Sequence, residues 1–166
     1  FDQSGGGAVS FGTVSTAADA TPAEGEADIT LTNAGNNLTI TTSATAAGLG
    51  DIVYTTTTTG NIVLTGTTTA AADDVQMNSV GNIGGAGLVT AALVDLNAAT
   101  GIGTGTALNL AAATITADNT TSGIIDINNA LGTAVTVTTL TTLDGGNIVF
   151  DQSGGGAVSF GTVSTA

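Results

Sequence analysis

Carboxylates are the side chains with which this sequence could most readily do chemistry. The 166-residue chain has 13 Asp and Glu residues, no Lys, Arg, His or Cys, and a formal net charge of -13. Two carboxylates held close together with separated pKa values can act as a general acid and a general base. Carboxylate oxygens are also the ligands that Ca²⁺ prefers in proteins. Acid–base catalysis and calcium binding are therefore the two activities to consider first.

Asp73 and Asp74 are the two acids that stand next to each other in the chain. Successive residues of a strand point to opposite faces, so this pair is more typical of a turn than of a catalytic dyad. Polysaccharide hydrolysis requires only two carboxylates. However, the chain has no basic side chain, and only one Tyr and four Phe, with which to hold a sugar. The sequence therefore predicts that the protein is not an enzyme and has no catalytic residues.

Four further acids fall within the segment ADATPAEGEAD, which contains the one Pro of the chain; they are Asp19, Glu24, Glu26 and Asp28. Their spacing differs from that of an EF-hand loop, in which the ligands follow a fixed twelve-residue pattern. The four residues are most simply ordinary solvated loop acids, and the alternative is that they are weak calcium ligands that bridge fibres. No other cofactor is predicted.

The charge composition argues against two classes of partner. Phosphate backbones are bound mainly through Lys and Arg, and anionic membrane surfaces attract the same residues. The chain has neither. No apolar run is long enough to cross a bilayer. The sequence therefore predicts no binding to nucleic acid and no membrane insertion.

Short alternating runs of apolar and polar residues predict the secondary structure. Examples are ADITLTN, NLTITTS and NIVLTGT, and they are rich in Ile, Val, Leu and Thr. Alternation with period two and β-branched residues are typical of strands. Gly, Asn and Asp separate the runs, as expected for tight turns. The sequence predicts an all-β protein with many short strands.

The spacing of these runs indicates which kind of all-β fold they form. Ile29, Ile52 and Val75 are 23 residues apart, and so are Ile125 and Ile148. A second series gives similar steps, from Leu38 to Ile62 and from Val135 to Val158. A fixed period is needed in a solenoid, where each coil stacks on the last. We therefore expect a parallel β-helix with about six coils, beginning near Ile29, Ile52, Val75, Ile102, Ile125 and Ile148.

The segment FDQSGGGAVSFGTVSTA occurs at Phe1 to Ala17 and again, without change, at Phe150 to Ala166. We interpret residues 1–166 as one continuous solenoid segment: one 149-residue tandem repeat followed by the first seventeen residues of the next. Exchange of the terminal copies between subunits is the alternative. Residues 17–27 are expected to protrude as a loop. Residues assigned to the repeat junction or to assembly are Phe1, Phe11, Phe150 and Phe160.

Three longer stretches carry a resemblance to a known class of repeats. They are GNIVLTGTTTAAADDVQMNSVGNI, AGLVTAALVDLNAATGIGT and GGNIVFDQSGGGAVSFG. In cadence and composition these stretches resemble the filamentous-haemagglutinin-type repeats of giant bacterial surface proteins. The resemblance implies a right-handed parallel β-helix in an exported fibrous protein. The long 149-residue repeat is a departure, because that family has short degenerate repeats.

Composition, period and resemblance together predict a structural function. We expect a segment of an extracellular fibre or surface filament, located outside the cell or on a bacterial cell surface. The expected partner is the protein itself, through tandem repeats or end-to-end subunits. The alternative is an adhesin or glycan-binding stalk, in which residues 17–27 contact a glycan or another cell surface.

Overall fold

In a computed structural model that describes residues 1–17 and 27–166, that part of the chain forms strands and no helix. The first seven strands are β1 (Asp2–Gln3), β2 (Val9–Ser15), β3 (Ile29–Asn33), β4 (Leu38–Thr45), β5 (Ile52–Thr56), β6 (Ile62–Leu64) and β7 (Thr67–Ser79). The remaining strands are β8 (Ile83–Gly84), β9 (Leu88–Ala98), β10 (Leu108–Asn119), β11 (Ile125–Asn129), β12 (Val135–Thr142), β13 (Ile148–Asp151) and β14 (Val158–Thr165). The prediction of an all-β protein is confirmed.

Every strand pairing among the described residues is parallel, and each strand pairs with a strand one coil away. The chain is therefore a β-solenoid of about six turns, as the 23-residue spacing predicts. Side chains at equivalent positions form columns along its axis. The first column contains Ile29, Ile52, Val75, Val94, Ile115, Val137 and Phe160. The second column contains Val9, Leu38, Ile62, Ile83, Ile102, Ile125 and Ile148.

The core is a narrow apolar interior that runs along the solenoid axis. Inward residues alternate with exposed or half-buried ones, as in β5, where Ile52 and Tyr54 are fully buried and Val53 between them is not. Met77 also lies in this interior. The largest buried side chain, Tyr54, keeps its hydroxyl paired with the hydroxyl of Thr68 at 3.2 Å. Burial raises the pKa of Tyr54 well above its usual value.

The expected coil starts do not follow one column, and the error begins at Ile102. Val75 stacks on Val94 and not on Ile102, because the third coil shortens to a 19-residue step. Ile102 instead bridges Ile83 and Ile125, so it belongs to the second column. The list of expected coil starts therefore joined two different columns.

The two copies of the seventeen-residue segment occupy different sides of the solenoid. In the first copy, Val9 stands at the beginning of the second column, beneath Leu38. In the second copy, Phe160 stands at the end of the first column, on Val137. Ile148, the last member of the second column, lies ten residues before Val158. The 149 residues that separate Val9 from Val158 therefore span six coils and a fraction of a seventh.

A column of small polar side chains fixes the corner that follows the first-column strands. Asn119 is a representative member, whose amide donates hydrogen bonds to the carbonyls of Gly123 at 3.1 Å and Ile124 at 2.8 Å. Thr142 donates in the same way to Gly146 at 2.8 Å. These bonds supply donors to corner carbonyls that lie outside the strands, and the Ile124 carbonyl also accepts from the backbone N–H of Ile102. The buried members are Asn33, Thr56, Ser79, Asn119 and Thr142.

Replacing Asn119 by alanine should destabilise the solenoid by about 1–3 kcal/mol, because the half-buried Gly123 carbonyl loses its donor and the Ile124 carbonyl keeps only its bond from Ile102. We expect the thermal unfolding midpoint to fall by about 2–4 °C per kcal/mol in a chain of this size. Asn109→Ala is the matched control, because the half-buried Asn109 only accepts a bond from the amide of Asn128. Equal losses in the two variants would contradict a special role for the corner column.

Candidate functional site: the acidic cluster

Aspartates in three successive coils stack beside the first column. Asp28, Asp51 and Asp74 each immediately precede a first-column residue, so the coil period places them one above the other. The backbone N–H of Asp51 donates to Oδ1 of Asp28 at 2.9 Å, and that of Asp74 donates to Oδ1 of Asp51 at 3.2 Å. Each carboxylate therefore fixes the start of the strand above it. The stack ends at the fourth coil, where Leu93 pairs with Asp74.

Asp73 joins this stack from a bulge. The register of β7 shifts between Ala70 and Asp74, which leaves the intervening residues without strand partners. Asp73 then lies close enough that one carboxylate oxygen each of Asp51, Asp73 and Asp74 fall within 4.8 Å of one another. These three half-buried residues form what we call the acidic cluster. A cavity of about 150 Å³ lies beside it, lined by Asp51, Asp74 and Asp95 among others.

The electrostatics of the cluster oppose ionisation. Burial raises the pKa of Asp51, and the charges of Asp73 and Asp28 raise it further, while the hydrogen bond from Asp74 lowers it. Burial is also the main cause of the raised pKa of Asp74, followed by the charges of Asp51, Asp73 and Asp95. Like charges held together without a basic partner make the ionised form less favourable.

A neutral counterpart of the aspartate stack lies beside the second column. Asn37, Asn61 and Asn82 precede Leu38, Ile62 and Ile83. The amide oxygens of Asn37 and Asn61 each accept from the backbone N–H of the next Asn in the stack, in both cases at 2.9 Å. The same structural task is thus performed once by Asn and once by Asp. The aspartates therefore add negative charge that the strand geometry does not require.

Only one of the four candidate calcium ligands lies among the residues that the structure describes. Asp19, Glu24 and Glu26 lie outside the described residues, as does most of the predicted loop 17–27. Asp28 is described, and it lies at the foot of the aspartate stack. Sequence reasoning singled out Asp73 and Asp74 but missed Asp51. The signal that could have found it is the 23-residue spacing of Asp28, Asp51 and Asp74, which equals the coil length.

The four junction phenylalanines form two similar pairs. The rings of Phe1 and Phe11 meet edge to face with centroids 5.1 Å apart, and those of Phe150 and Phe160 do so at 5.5 Å. Phe11 and Phe150 pack against the core, whereas Phe1 and Phe160 are more than half exposed. The identical sequence therefore gives the same ring pairing at both places, whereas the corner between the rings differs, since Gly155 has a φ of 80° and the equivalent Gly6 has no positive φ. Their assignment to assembly stays a prediction.

Comparison with known proteins gives no family for this chain. No protein-family model, no curated protein and no solved structure matches it. The solenoid fold therefore supports the resemblance to filamentous-haemagglutinin-type repeats, but no related protein does. Among the described residues, no helix is long and apolar enough to cross a membrane.

The raised pKa values of Asp51 and Asp74 predict that mild acid stabilises the protein. A carboxyl group with a higher pKa in the folded chain binds a proton that the unfolded chain does not bind. Stability should therefore increase as the pH falls from neutral through the raised pKa values towards the ordinary value of 3.8. Thermal unfolding followed between pH 7 and pH 4 should show a rising midpoint.

The double variant Asp51→Asn and Asp74→Asn should melt higher than the native chain at pH 7 and gain less on acidification. The substitutions keep the ladder, because Asn at position 51 has a carbonyl oxygen that can still accept from the backbone N–H of residue 74, and Asp28 is unchanged. Asp144→Asn is the control, since it removes a charge from an exposed turn. If the double variant keeps the native dependence on pH, the acidic cluster is not its source.

Proposed function

We propose that this chain is a structural segment of an extracellular fibre or surface filament built from tandem solenoid repeats. The observation that carries the proposal is the uninterrupted parallel stack, in which columns of buried residues run from the first coil to the last. A stack of this kind grows by adding coils and has no geometric limit to its length. Such a body supplies length and stiffness.

The surface supports the same proposal. Outward positions are filled mainly by Thr, Ser, Asn and Asp, and the chain has no basic residue. Parallel fibres of this composition repel one another, which keeps them separate and soluble. The acidic cluster lacks the basic and aromatic neighbours that would hold a substrate beside it. We therefore propose a mechanical and colloidal function without catalysis.

Electron microscopy of the native particle tests the proposal. We expect unbranched filaments with a coil spacing of about 4.8 Å and an axial repeat of about 30 Å. Antibodies against the chain should label intact cells at their outer surface. Compact particles without an elongated axis would overturn the fibre proposal, and labelling only after the cells are opened would overturn the surface location.

The adhesin or glycan-binding alternative depends on the loop 17–27, most of which lies outside the described residues. It stays a prediction, tested by glycan binding of the full chain and of a chain lacking residues 18–26.

A further inference from the structure

The seventeen-residue segment is seen twice, with a different edge paired each time. In the first copy, β2 pairs with β4, which follows it in the chain, through Val9–Leu38 and Phe11–Ile40. In the second copy, β14 pairs with β12, which precedes it, through Val158–Val135 and Phe160–Val137. One sequence thus shows both of its edges in parallel strand pairs. Its strands can therefore pair along either edge.

From these two views we propose that the open edge of β13 and β14 is a docking surface for β3 and β4 of a second copy of this sequence. The inference rests on the proposed function and specifies how its repeats join. The register follows from the first copy, where Asp2 pairs with Thr32. Because Asp2 and Asp151 are equivalent, Ile148 of one copy pairs with Ile29 of the next.

The columns support this register. Above Val158 the second copy places Leu38, and above Phe160 it places Ile40, so the core continues with apolar residues of similar size. Ile148 would lie between Ile125 and the incoming Ile29. Val149, Phe160 and Val163 are each 51% exposed on the free coil, so the added coil has apolar surface to cover. Burial of such surface favours docking.

Two cavities at opposite ends of the solenoid are complementary. One, of about 530 Å³, is lined by the strand segment Gly145–Val149 together with Val163 and Thr165. The other, of about 250 Å³, is lined by the segment Asp28–Leu31 together with Val14 and Thr16. Val14 and Thr16 are the equivalents of Val163 and Thr165, so one side of each cavity is formed by the same residues of the repeated segment. The first cavity has the strand of Ile148 and lacks that of Ile29, and the second has the strand of Ile29 and lacks that of Ile148. Pairing Ile148 with Ile29 of a second copy would therefore close both cavities.

The glycine corner also fits a close neighbour. In the first copy, a Cβ on Gly35 would lie 2.2 Å from Cα of Gly6, so the two backbones pass with no room for a side chain. Gly155 is the equivalent of Gly6 in the second copy. Gly35 of a second copy would approach Gly155 in the same way.

The test is a chain lengthened by a second copy of residues 18–166 after Ala166, compared with the 166-residue chain by hydrogen exchange. We expect peptides covering β13 and β14 to exchange at least about 100-fold more slowly in the longer chain, since their open edge becomes an internal strand pair. Electron microscopy should show one straight rod of twice the length.

Glycine variants in the added copy separate docking from folding. Gly35→Val there should return β13 and β14 to the fast exchange of the shorter chain. Gly84→Val in the added copy is the control, because a Cβ at Gly84 meets nothing within 4 Å. Unchanged exchange of β13 and β14 in the unmutated longer chain would overturn the inference, whether the added residues fold separately or remain unfolded.

This outcome is distinguishable from failure of the fibre proposal. A failed junction in the longer chain, together with filaments in the native material, would overturn the register and leave the fibre. A continuous junction in a protein whose native particles are compact would overturn the fibre and leave the junction.

Discussion

Gly103→Ala should lower the stability of the solenoid by about 2–5 kcal/mol, from a strained backbone and a forced approach of two coils. Gly103 has a φ of 69°, a left-handed conformation that costs any other L-residue energy. A Cβ there would also lie 2.0 Å from the carbonyl oxygen of Asp126 in the next coil. The backbone of that coil cannot retreat without breaking the hydrogen bond from Asp126 N–H to Ile102.

Gly105→Ala separates these two contributions. Gly105 has a φ of 83°, but a Cβ at this position meets nothing within 4 Å. Its substitution should therefore cost only the conformational part, about 1–2 kcal/mol. Thermal unfolding of the two variants side by side gives the cost of coil contact as their difference. If Gly103→Ala and Gly105→Ala melt together, the close approach at Gly103 does not limit stability.

Leu64→Ala should be comparably damaging, with an expected loss of about 2–5 kcal/mol. Leu64 is fully buried and stacks on Ile40 in the interior. The tight corner at Gly85, where a Cβ would meet the Leu64 carbonyl at 2.0 Å, gives the neighbouring coil little freedom to fill the cavity. Chemical denaturation should show a lower midpoint.

Leu49→Ala is the matched control, because Leu49 is 59% exposed in a turn. We expect it to change the free energy of unfolding by less than about 0.5 kcal/mol. A similar loss for both leucines would mean that the interior column contributes no more than the surface.

The fold was predictable because the stacked coils of a solenoid make apolar residues recur in the sequence at the length of one coil. Ile29, Ile52 and Val75 recur at equal steps and are stacked as expected. The prediction failed at Ile102 because coil length is not constant. Strands β9 and β10 each bend through a corner without a separating turn, so alternation alone does not show where one side ends and the next begins.

The acidic cluster was less predictable, because nearness in the fold depends on coil length and not on nearness in the chain. Asp51 and Asp74 are 23 residues apart yet share a hydrogen bond. Asp73 lies near Asp51 and Asp74 only because of the bulge in β7, and no residue pattern in the sequence predicts that bulge. The 23-residue spacing that predicted the core columns also predicts the aspartate stack, once it is applied to Asp28, Asp51 and Asp74.

The offset between sequence repeat and coil gives the proposed fibre a property of its own. Since Val158 lies ten residues beyond the last full coil, each repeat would begin about 0.4 of a turn around the axis from the one before. The acidic clusters of successive repeats would then follow a spiral, like the thread of a screw. No side of such a filament would differ from the others in charge, so a neighbouring molecule would meet acidic clusters from any direction around the axis.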